Sequence, residues 1–176
     1  MLDTYRLRLL KADHAPAVLA FERANRAYFA ASVPDRGDAY FAHFDARHHG
    51  LLADQEAGIC YFHVLLGPDG AVVGRFNLVD VAEGEAELGY RVAEAVAGRG
   101  LATATVQGLC RLAAAKYGLT ALRARTTVGN AASRAVLARA GFVPTGEAAP
   151  DGDLPTLTFR LDLEAAAGRR PGDQAP

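Results

Sequence analysis

The sequence Glu-Ala-Glu-Leu-Gly-Tyr-Arg-Val at 85–92 is followed by Ala-Val-Ala-Gly-Arg-Gly-Leu-Ala-Thr at 95–103 and by a segment with helical period that runs to Tyr117. In the first part, alternation places Leu88 and Tyr90 on one face of a strand and Glu87 on the other. In the last part, apolar residues recur every three or four positions, which is typical of a helix with one buried face. The pattern therefore predicts a strand, a short loop and a helix.

The loop between this strand and this helix contains two glycines, Gly98 and Gly100. Glycine permits a sharp turn directly before a helix, so that several amide N–H groups point outward together at the positive end of the helix. This geometry favours a phosphate group, although two nearby glycines also form ordinary strand-to-helix turns. The loop is neither a Walker A sequence nor a Rossmann fingerprint, since Thr103 stands where the third Rossmann glycine would be.

Length and composition restrict the classes of protein that need to be considered. A chain of 176 residues, of which 51% are hydrophobic, fits one domain, predicted over 1–163, with a disordered tail at 164–176. A net charge of −1 argues against nucleic-acid binding, and the absence of a run of about 18 apolar residues argues against a membrane partner. Cys60 and Cys110 lie in apolar patterns and are expected to be buried free thiols, which fits a cytoplasmic protein.

Outward from the central stretch, the pattern predicts further strands and helices on both sides. The predicted strands are 5–10, 59–66, 72–79, 122–128, 142–143 and 154–163, and the predicted helices are 13–31, 38–50 and 130–140. A long loop is expected over 146–153 between the last two strands. The order is β-α-α-β-β-β-α-β-α-β-β, an α/β (α+β) arrangement with a mixed, mostly antiparallel sheet.

Three segments in this order resemble the GNAT superfamily of acetyl-CoA-dependent N-acetyltransferases, and most closely its Rim-type ribosomal-protein N-terminal acetyltransferase branch. They are Glu87-Leu-Gly-Tyr-Arg-Val92, Gly98-Arg-Gly-Leu-Ala-Thr103, and Gly129-Asn-Ala-Ala-Ser-Arg134 continuing to Ala140-Gly-Phe142. The resemblance covers about residues 4–163. It implies a GNAT-like sheet with a splayed strand pair. One departure is Ala97, where the family usually has Gln or Arg.

The resemblance also implies a set of residues that bind acetyl-CoA (CoA). The backbone of Tyr90 and Val92 would pair with the pantetheine arm, and the loop amides would hold the pyrophosphate. The implied cofactor-binding residues are Tyr90, Val92, Gly98, Arg99, Gly100, Leu101, Ala102, Thr103, Asn130 and Arg134. Asn130 is equally suited to be a helix N-cap, and Arg134 to be a solvated charge.

Two side chains are candidates for catalysis. The resemblance implies that Glu87 is the base that deprotonates the amine and that Ser133 protonates the leaving thiolate. Alternatively, Glu87 marks a solvated strand face and Ser133 bonds only to the backbone of its helix. Asn77 and Tyr28 are candidates for substrate binding, although both are also compatible with packing roles. No metal site is expected, because the histidines do not have metal-ligand spacing.

The implied activity is direct transfer of an acetyl group to a primary amine, either the N-terminus of a protein or a small molecule. Two alternatives remain open at this point, which are a non-catalytic acyl-CoA-binding sensor and an interaction module without a ligand. An exposed terminal hairpin would also permit a homodimer. The acceptor itself is not identified by the sequence.

Overall fold

A computed structural model of the chain describes residues 4–151 and 153–163. The predicted disordered tail, 164–176, lies outside the described residues.

In the described part of the chain, seven strands form one sheet. They are β1 Arg6–Leu9, β2 Tyr61–Leu66, β3 Val72–Ala82, β4 Glu85–Val92, β5 Ala121–Thr127, β6 Val143–Asp151 and β7 Leu154–Asp162. Their order in the sheet is β1-β2-β3-β4-β5-β7-β6. The pair β4 and β5 is parallel, and the other neighbouring pairs are antiparallel. The predicted mixed, mostly antiparallel sheet is confirmed.

Six α-helices lie within the same described residues. They are α1 Ala15–Ala24, α2 Arg26–Ala30, α3 Asp38–Ala42, α4 Phe44–Glu56, α5 Leu101–Tyr117 and α6 Ala131–Ala140. Helix α5 ends at Gly118, which adopts the left-handed conformation (φ 65°) as expected for a C-cap. Asn130 caps α6, since its side chain accepts a hydrogen bond from the Ser133 amide (3.0 Å).

The two helices predicted before β2 are each interrupted once. Asn25 separates α1 from α2 because its side chain binds two backbone groups, donating to Phe21 O (2.9 Å) and accepting from the amide of Glu94 (3.0 Å). The second predicted helix is interrupted at His43 (φ −109°), and α4 then continues past Gly50 to Glu56. Contacts with a distant loop therefore override a locally continuous helical pattern at Asn25.

The prediction of a loop over 146–153 is wrong for most of that range, because β6 extends to Asp151. Gly146, Glu147 and Ala148 pair with Thr158, Leu157 and Thr156 of β7. Almost all of β6 is exposed to solvent, so its sequence has no apolar alternation to indicate a strand. Its backbone pairing with β7 supplies the stabilisation that side-chain burial does not.

The sheet opens between β4 and β5. These strands pair only over Glu85–Leu88 and Ala121–Ala124, after which β5 continues along β7 while β4 remains paired only with β3. Gly89 to Val92 thus have an edge that faces away from β3 and carries no partner strand within the described residues. This confirms the splayed pair that the resemblance implied.

The helices cover both faces of the sheet. Helix α5 packs on one face, where Tyr117 stacks on Tyr61 (3.8 Å between ring centroids) and its hydroxyl lies 2.8 Å from Nε2 of His63. Helix α1 packs on the other face, where Glu22 pairs with Arg75 of β3 (2.8 Å). The sheet is therefore covered by α5 on one face and by α1 on the other.

Candidate active site

Two cavities meet where β4 and β5 separate. The first, called the cleft, has a volume of about 360 Å³ and is lined by β3, β4, β5 and the start of α6. The second, called the groove, has a volume of about 300 Å³ and lies between α2, the glycine loop and α6. Tyr90, Arg91, Asn130 and Ser133 line both cavities. A ligand in the groove can therefore present its end to a ligand in the cleft.

The glycine loop forms one end of the groove. Gly98 (φ 73°) and Gly100 (φ 76°) have left-handed backbone conformations, and Gly100 is the N-cap of α5. No side chain caps this helix, so the first amides of α5 are available to an anion at the positive end of the helix dipole. The geometry suits a diphosphate, as the sequence predicted.

The walls of the groove suit the remainder of CoA. The side chains of Val92, Val96 and Val136 make part of it apolar, and the unpaired edge of β4 passes along it. An extended chain that carries amide groups can bind such an edge as an added strand. The residues present thus fit both the diphosphate and the pantetheine arm.

The junction of the two cavities contains a pair of hydroxyl groups. The hydroxyl of Tyr90 lies 3.0 Å from Oγ of Ser133 and donates to the backbone oxygen of Ser133 (3.2 Å). Burial raises the pKa of Tyr90, and the hydrogen bond with Ser133 opposes this shift. The phenol therefore stays protonated at neutral pH, beside the hydroxyl that the sequence analysis made the candidate proton donor. The sequence analysis assigned Tyr90 only a backbone role.

Glu87 and Asn77 lie on the cleft side of the sheet. Glu87 forms an ion pair with Arg125 of β5 (3.1 Å) and its side chain remains 24% exposed. Asn77 lies opposite Gly89 in the β3–β4 register, and space is open over Gly89 because no atom lies within 4 Å of where its Cβ would be. Oδ1 of Asn77 is buried and has no hydrogen-bond partner among the described residues. A buried oxygen of this kind calls for an N–H donor.

One end of the cleft contains a cluster of three arginines around one buried carboxylate, called here the arginine cluster. Glu22, which is 1% exposed, contacts Arg75 (2.8 Å), Arg91 (3.1 Å) and Arg36 (3.4 Å). Burial lowers the pKa of Arg91, and repulsion from Arg36 lowers it further. Sequence reasoning missed this cluster because Arg75 and Arg91 are 53 and 69 residues from Glu22 on other elements.

The structure brings together most of the residues predicted for the site. The groove is lined by Tyr28, Tyr90, Val92, Gly98, Gly100, Ala102, Thr103, Asn130 and Ser133, and the cleft by Asn77, Glu87, Tyr90, Asn130 and Ser133. Tyr28, which was a candidate for substrate binding, therefore lies with the residues expected to bind CoA.

Three predicted cofactor-binding residues do not line either cavity. Arg99 is exposed on the glycine loop, the side chain of Leu101 is buried in the core, and Arg134 donates to Val128 O (2.9 Å). Leu101 can still contribute its backbone amide. Arg99 and Arg134 would contribute only by turning a side chain toward the mouth of the groove.

The described residues contain neither a metal site nor a membrane-spanning helix. No group of three His, Cys, Asp or Glu side chains there is arranged to hold a metal ion. No helix in residues 4–151 and 153–163 has the length and apolarity required to cross a membrane. Cys60 and Cys110 are both buried free thiols, as predicted, and burial raises the pKa of Cys110 to about 12.

Comparison with known sequences gives two matches. Residues 5–143 match the family model described as an acetyltransferase (GNAT) domain. A curated protein of Bacillus subtilis (strain 168), YdaF, whose name assigns it provisionally to the ribosomal N-acetyltransferases, is 31% identical over 132 residues, covering 72% of this chain and 68% of its own length.

Comparison with solved structures supports the same fold. The ribosomal-protein-S5-alanine acetyltransferase from Vibrio fischeri superposes with a TM-score of 0.84 at 20% identity, covering 98% of this chain and 96% of its own. RimJ of Mycobacterium smegmatis, solved in complex with CoA-disulfide, superposes with a TM-score of 0.80 at 25% identity, covering 92% of this chain and 83% of its own.

Proposed function

The chain belongs to the GNAT acetyltransferase family, and we propose that it acetylates the N-terminal amine of a protein by direct attack of the amine on acetyl-CoA. The family assigns an acyltransferase with acetyl-CoA as donor. The protein N-terminus as acceptor is our proposal, and the names of the relatives described above favour it over a small amine. The observation that carries the proposal is the meeting of the cleft and the groove at Tyr90 and Ser133.

The groove residues would bind and orient the donor. When bound, acetyl-CoA supplies an acetyl group activated as a thioester. The amides at the start of α5 would hold its diphosphate, and the edge of β4 at Tyr90 and Val92 would align its arm toward the junction. Asn130 borders the same path, but its Oδ1 is already occupied as the N-cap of α6. Arg99 and Arg134 would add charge near the mouth of the groove.

The cleft residues would handle the amine. Glu87 accepts the amine proton, directly or through a water molecule, and Asn77 orients the nitrogen through its unpartnered Oδ1. The amine nitrogen then forms a bond to the acetyl carbon as the carbon–sulfur bond breaks. Ser133, hydrogen-bonded to Tyr90, would donate its hydroxyl proton to the leaving sulfur and regain a proton from solvent, while Glu87 releases the amine proton to solvent. All steps take place in one ternary complex, without an acyl-enzyme.

The direct test is an assay of CoA release with purified protein, acetyl-CoA and two panels of acceptors. One panel contains peptides with free N-termini, and the other contains amino acids, polyamines and other small amines. We expect release with the peptides and a mass increase of one acetyl group at the peptide N-terminus. Release only with small amines would refute the protein N-terminus as acceptor.

Glu87→Gln distinguishes an enzyme from a sensor that only binds acyl-CoA. We expect this variant to lower kcat while the Kd for CoA, measured by calorimetry, is unchanged, because Glu87 lies in the cleft and not in the groove. Arg123→Gln is a matched control, since Arg123 is an exposed neighbour on β5 that lines neither cavity. Tight CoA binding without turnover in the wild-type protein against both panels would favour the sensor.

A further inference from the structure

The arginine cluster carries more positive charge than its own contacts neutralise. Arg36, Arg75 and Arg91 share a single carboxylate, Glu22, so the cluster has a formal excess of two positive charges. The neighbouring acids Asp35 and Asp38 are both held by Arg26, at 2.6 and 2.8 Å. At the wall of a cleft such an excess of one sign of charge attracts an anion from solvent.

The cluster is accessible from the cleft. All three arginines line the cleft wall, and the side chains of Arg36 and Arg91 remain 32% and 22% exposed. The cleft also contains Arg125, which Glu87 neutralises, and Asp151, which is exposed on β6 at the opposite wall. A ligand in the cleft therefore meets a positive end formed by Arg36 and Arg91.

The distance between the arginine cluster and Asn77 determines how far apart a ligand's amine and its acidic group must be to reach both. Arg75 and Asn77 are two residues apart on the same face of β3, and Arg91 and Gly89 are their partners on β4. Two residues of a strand span about 7 Å. The same distance along an extended peptide corresponds to about two residues. An amine at Asn77 thus places the second or third residue of a peptide beside the arginines.

We propose that the arginine cluster binds an acidic side chain of the acceptor, so that the preferred acceptor is a protein N-terminus with Asp or Glu at its second or third position. Arg36 is the specificity-determining residue that can be changed most safely, because it is the most exposed of the three and makes the longest contact with Glu22. The proposal rests on the proposed function, since it concerns the acceptor of the same reaction.

The experiment compares matched peptides that differ by one group. Each peptide has a free N-terminus and an amidated C-terminus, and carries Asp or Asn at position 2, position 3 or, as a distant control, position 7. We expect kcat/KM to be about tenfold higher for Asp than for Asn at position 2 or 3, since a charged partner strengthens the hydrogen bonds of arginine, and equal for the pair at position 7.

Arg36→Gln assigns the preference to the cluster. This variant should reduce the Asp-to-Asn ratio to about threefold or less, because it removes one of the two accessible positive charges. Arg23→Gln, an exposed residue of α1 with the same change of charge, should retain the full ratio. Equal loss in both variants would overturn the proposal, since it would show an effect of net charge only.

The possible failures are distinguishable. If the peptides are acetylated with an Asp-to-Asn ratio near one, the acidic-acceptor proposal is wrong while the proposed function stands. If no peptide is acetylated although CoA binds, the proposed function fails. If dipeptides with a free C-terminal carboxylate are acetylated and amidated peptides are not, the cluster recognises a small-molecule carboxylate, and the proposal of an acidic protein N-terminus is overturned.

Discussion

Ser133 is placed by two hydrogen bonds, from its amide to Asn130 and between its hydroxyl and Tyr90. If Ser133 protonates the leaving sulfur, Ser133→Ala should lower kcat by about 100-fold, the lower end of the range for general acid catalysis. Because the Tyr90 hydroxyl lies beside Ser133 and donates to its backbone oxygen, we expect Tyr90→Phe to lower kcat less. Steady-state kinetics and CoA calorimetry test both variants. A normal kcat in Ser133→Ala with loss in Tyr90→Phe would reverse the assignment.

His63 makes stability depend on pH. It is 2% exposed, and burial lowers its pKa from 6.5 to about 4. Its Nδ1 donates to Phe76 O (3.2 Å), since a carbonyl can only accept, which leaves Nε2 to accept from the Tyr117 hydroxyl (2.8 Å). The neutral imidazole is therefore the form that the fold stabilises.

The sign of the effect follows from these two pKa values. Below pH 6.5 the unfolded chain binds a proton at His63 and the folded chain does not, so the free energy of unfolding decreases as the pH falls from 6.5 to about 4. The loss from this one group reaches about 3 kcal/mol at pH 4. His63→Gln should lack this contribution. Urea unfolding of both proteins at pH 7.5, 5.5 and 4.5 tests this prediction. If the free energy of unfolding changes with pH by the same amount in both proteins, the prediction is contradicted.

Among the structural elements, the glycine loop before α5 connects backbone conformation to binding. Gly100 has φ 76°, so Gly100→Ala should cost about 1 kcal/mol in stability through strain and should also displace the amides that hold the diphosphate. We expect about a tenfold weaker CoA affinity, measured by calorimetry. Gly70→Ala is the matched control, since Gly70 has φ 82° in the turn between β2 and β3, outside the groove. An equal loss of CoA affinity in both variants would argue against binding of the diphosphate by the glycine loop.

The elements that sequence patterns predicted well are those whose signals are local. Helix α5 has an apolar face and a C-cap glycine, and β4 alternates, so both have the expected bounds. The interruption at Asn25 could not be predicted, because its bond partner, the Glu94 amide, lies 69 residues away. β6 was predicted only at its start, 142–143, because a strand with two solvated faces leaves no apolar period to detect.

For the molecule as a whole, Glu22 joins the helical layer to the sheet. It is buried, and its contacts with Arg75 and Arg91 link α1 to β3 and β4. Glu22→Gln would leave buried guanidinium groups without a counter-ion, and we expect the free energy of unfolding to fall by about 3–5 kcal/mol. Arg36→Gln, which loses the longest contact with Glu22 and the stacking of the guanidinium over Tyr40 (4.6 Å to the ring centroid), should cost about 1 kcal/mol. Chemical denaturation tests both, and equal losses would contradict this account.

The candidate site could be predicted from the sequence only where its residues lie in short local segments. The glycine loop, Asn130 and Ser133 belong to short segments with recognisable spacing, and the structure places them around one junction. The arginine cluster and the hydroxyl pair of Tyr90 and Ser133 depend on residues that are far apart in the chain, 69 and 43 positions in the pairs Glu22–Arg91 and Tyr90–Ser133. Only the folded arrangement of α1, β4 and α6 brings these side chains into contact.

The parallel ladder between β4 and β5 contains only four residue pairs, and it lies between two antiparallel subassemblies, β1 to β4 and β5 to β7. A polypeptide cut near Gly118 would give two pieces, each retaining its own hairpin, that meet along this ladder and between α5 and α6. Because both pieces supply walls of the groove, their reassembly should be promoted by CoA. Cutting the chain there would thus provide a fragment-complementation assay in which the coenzyme holds the two pieces together.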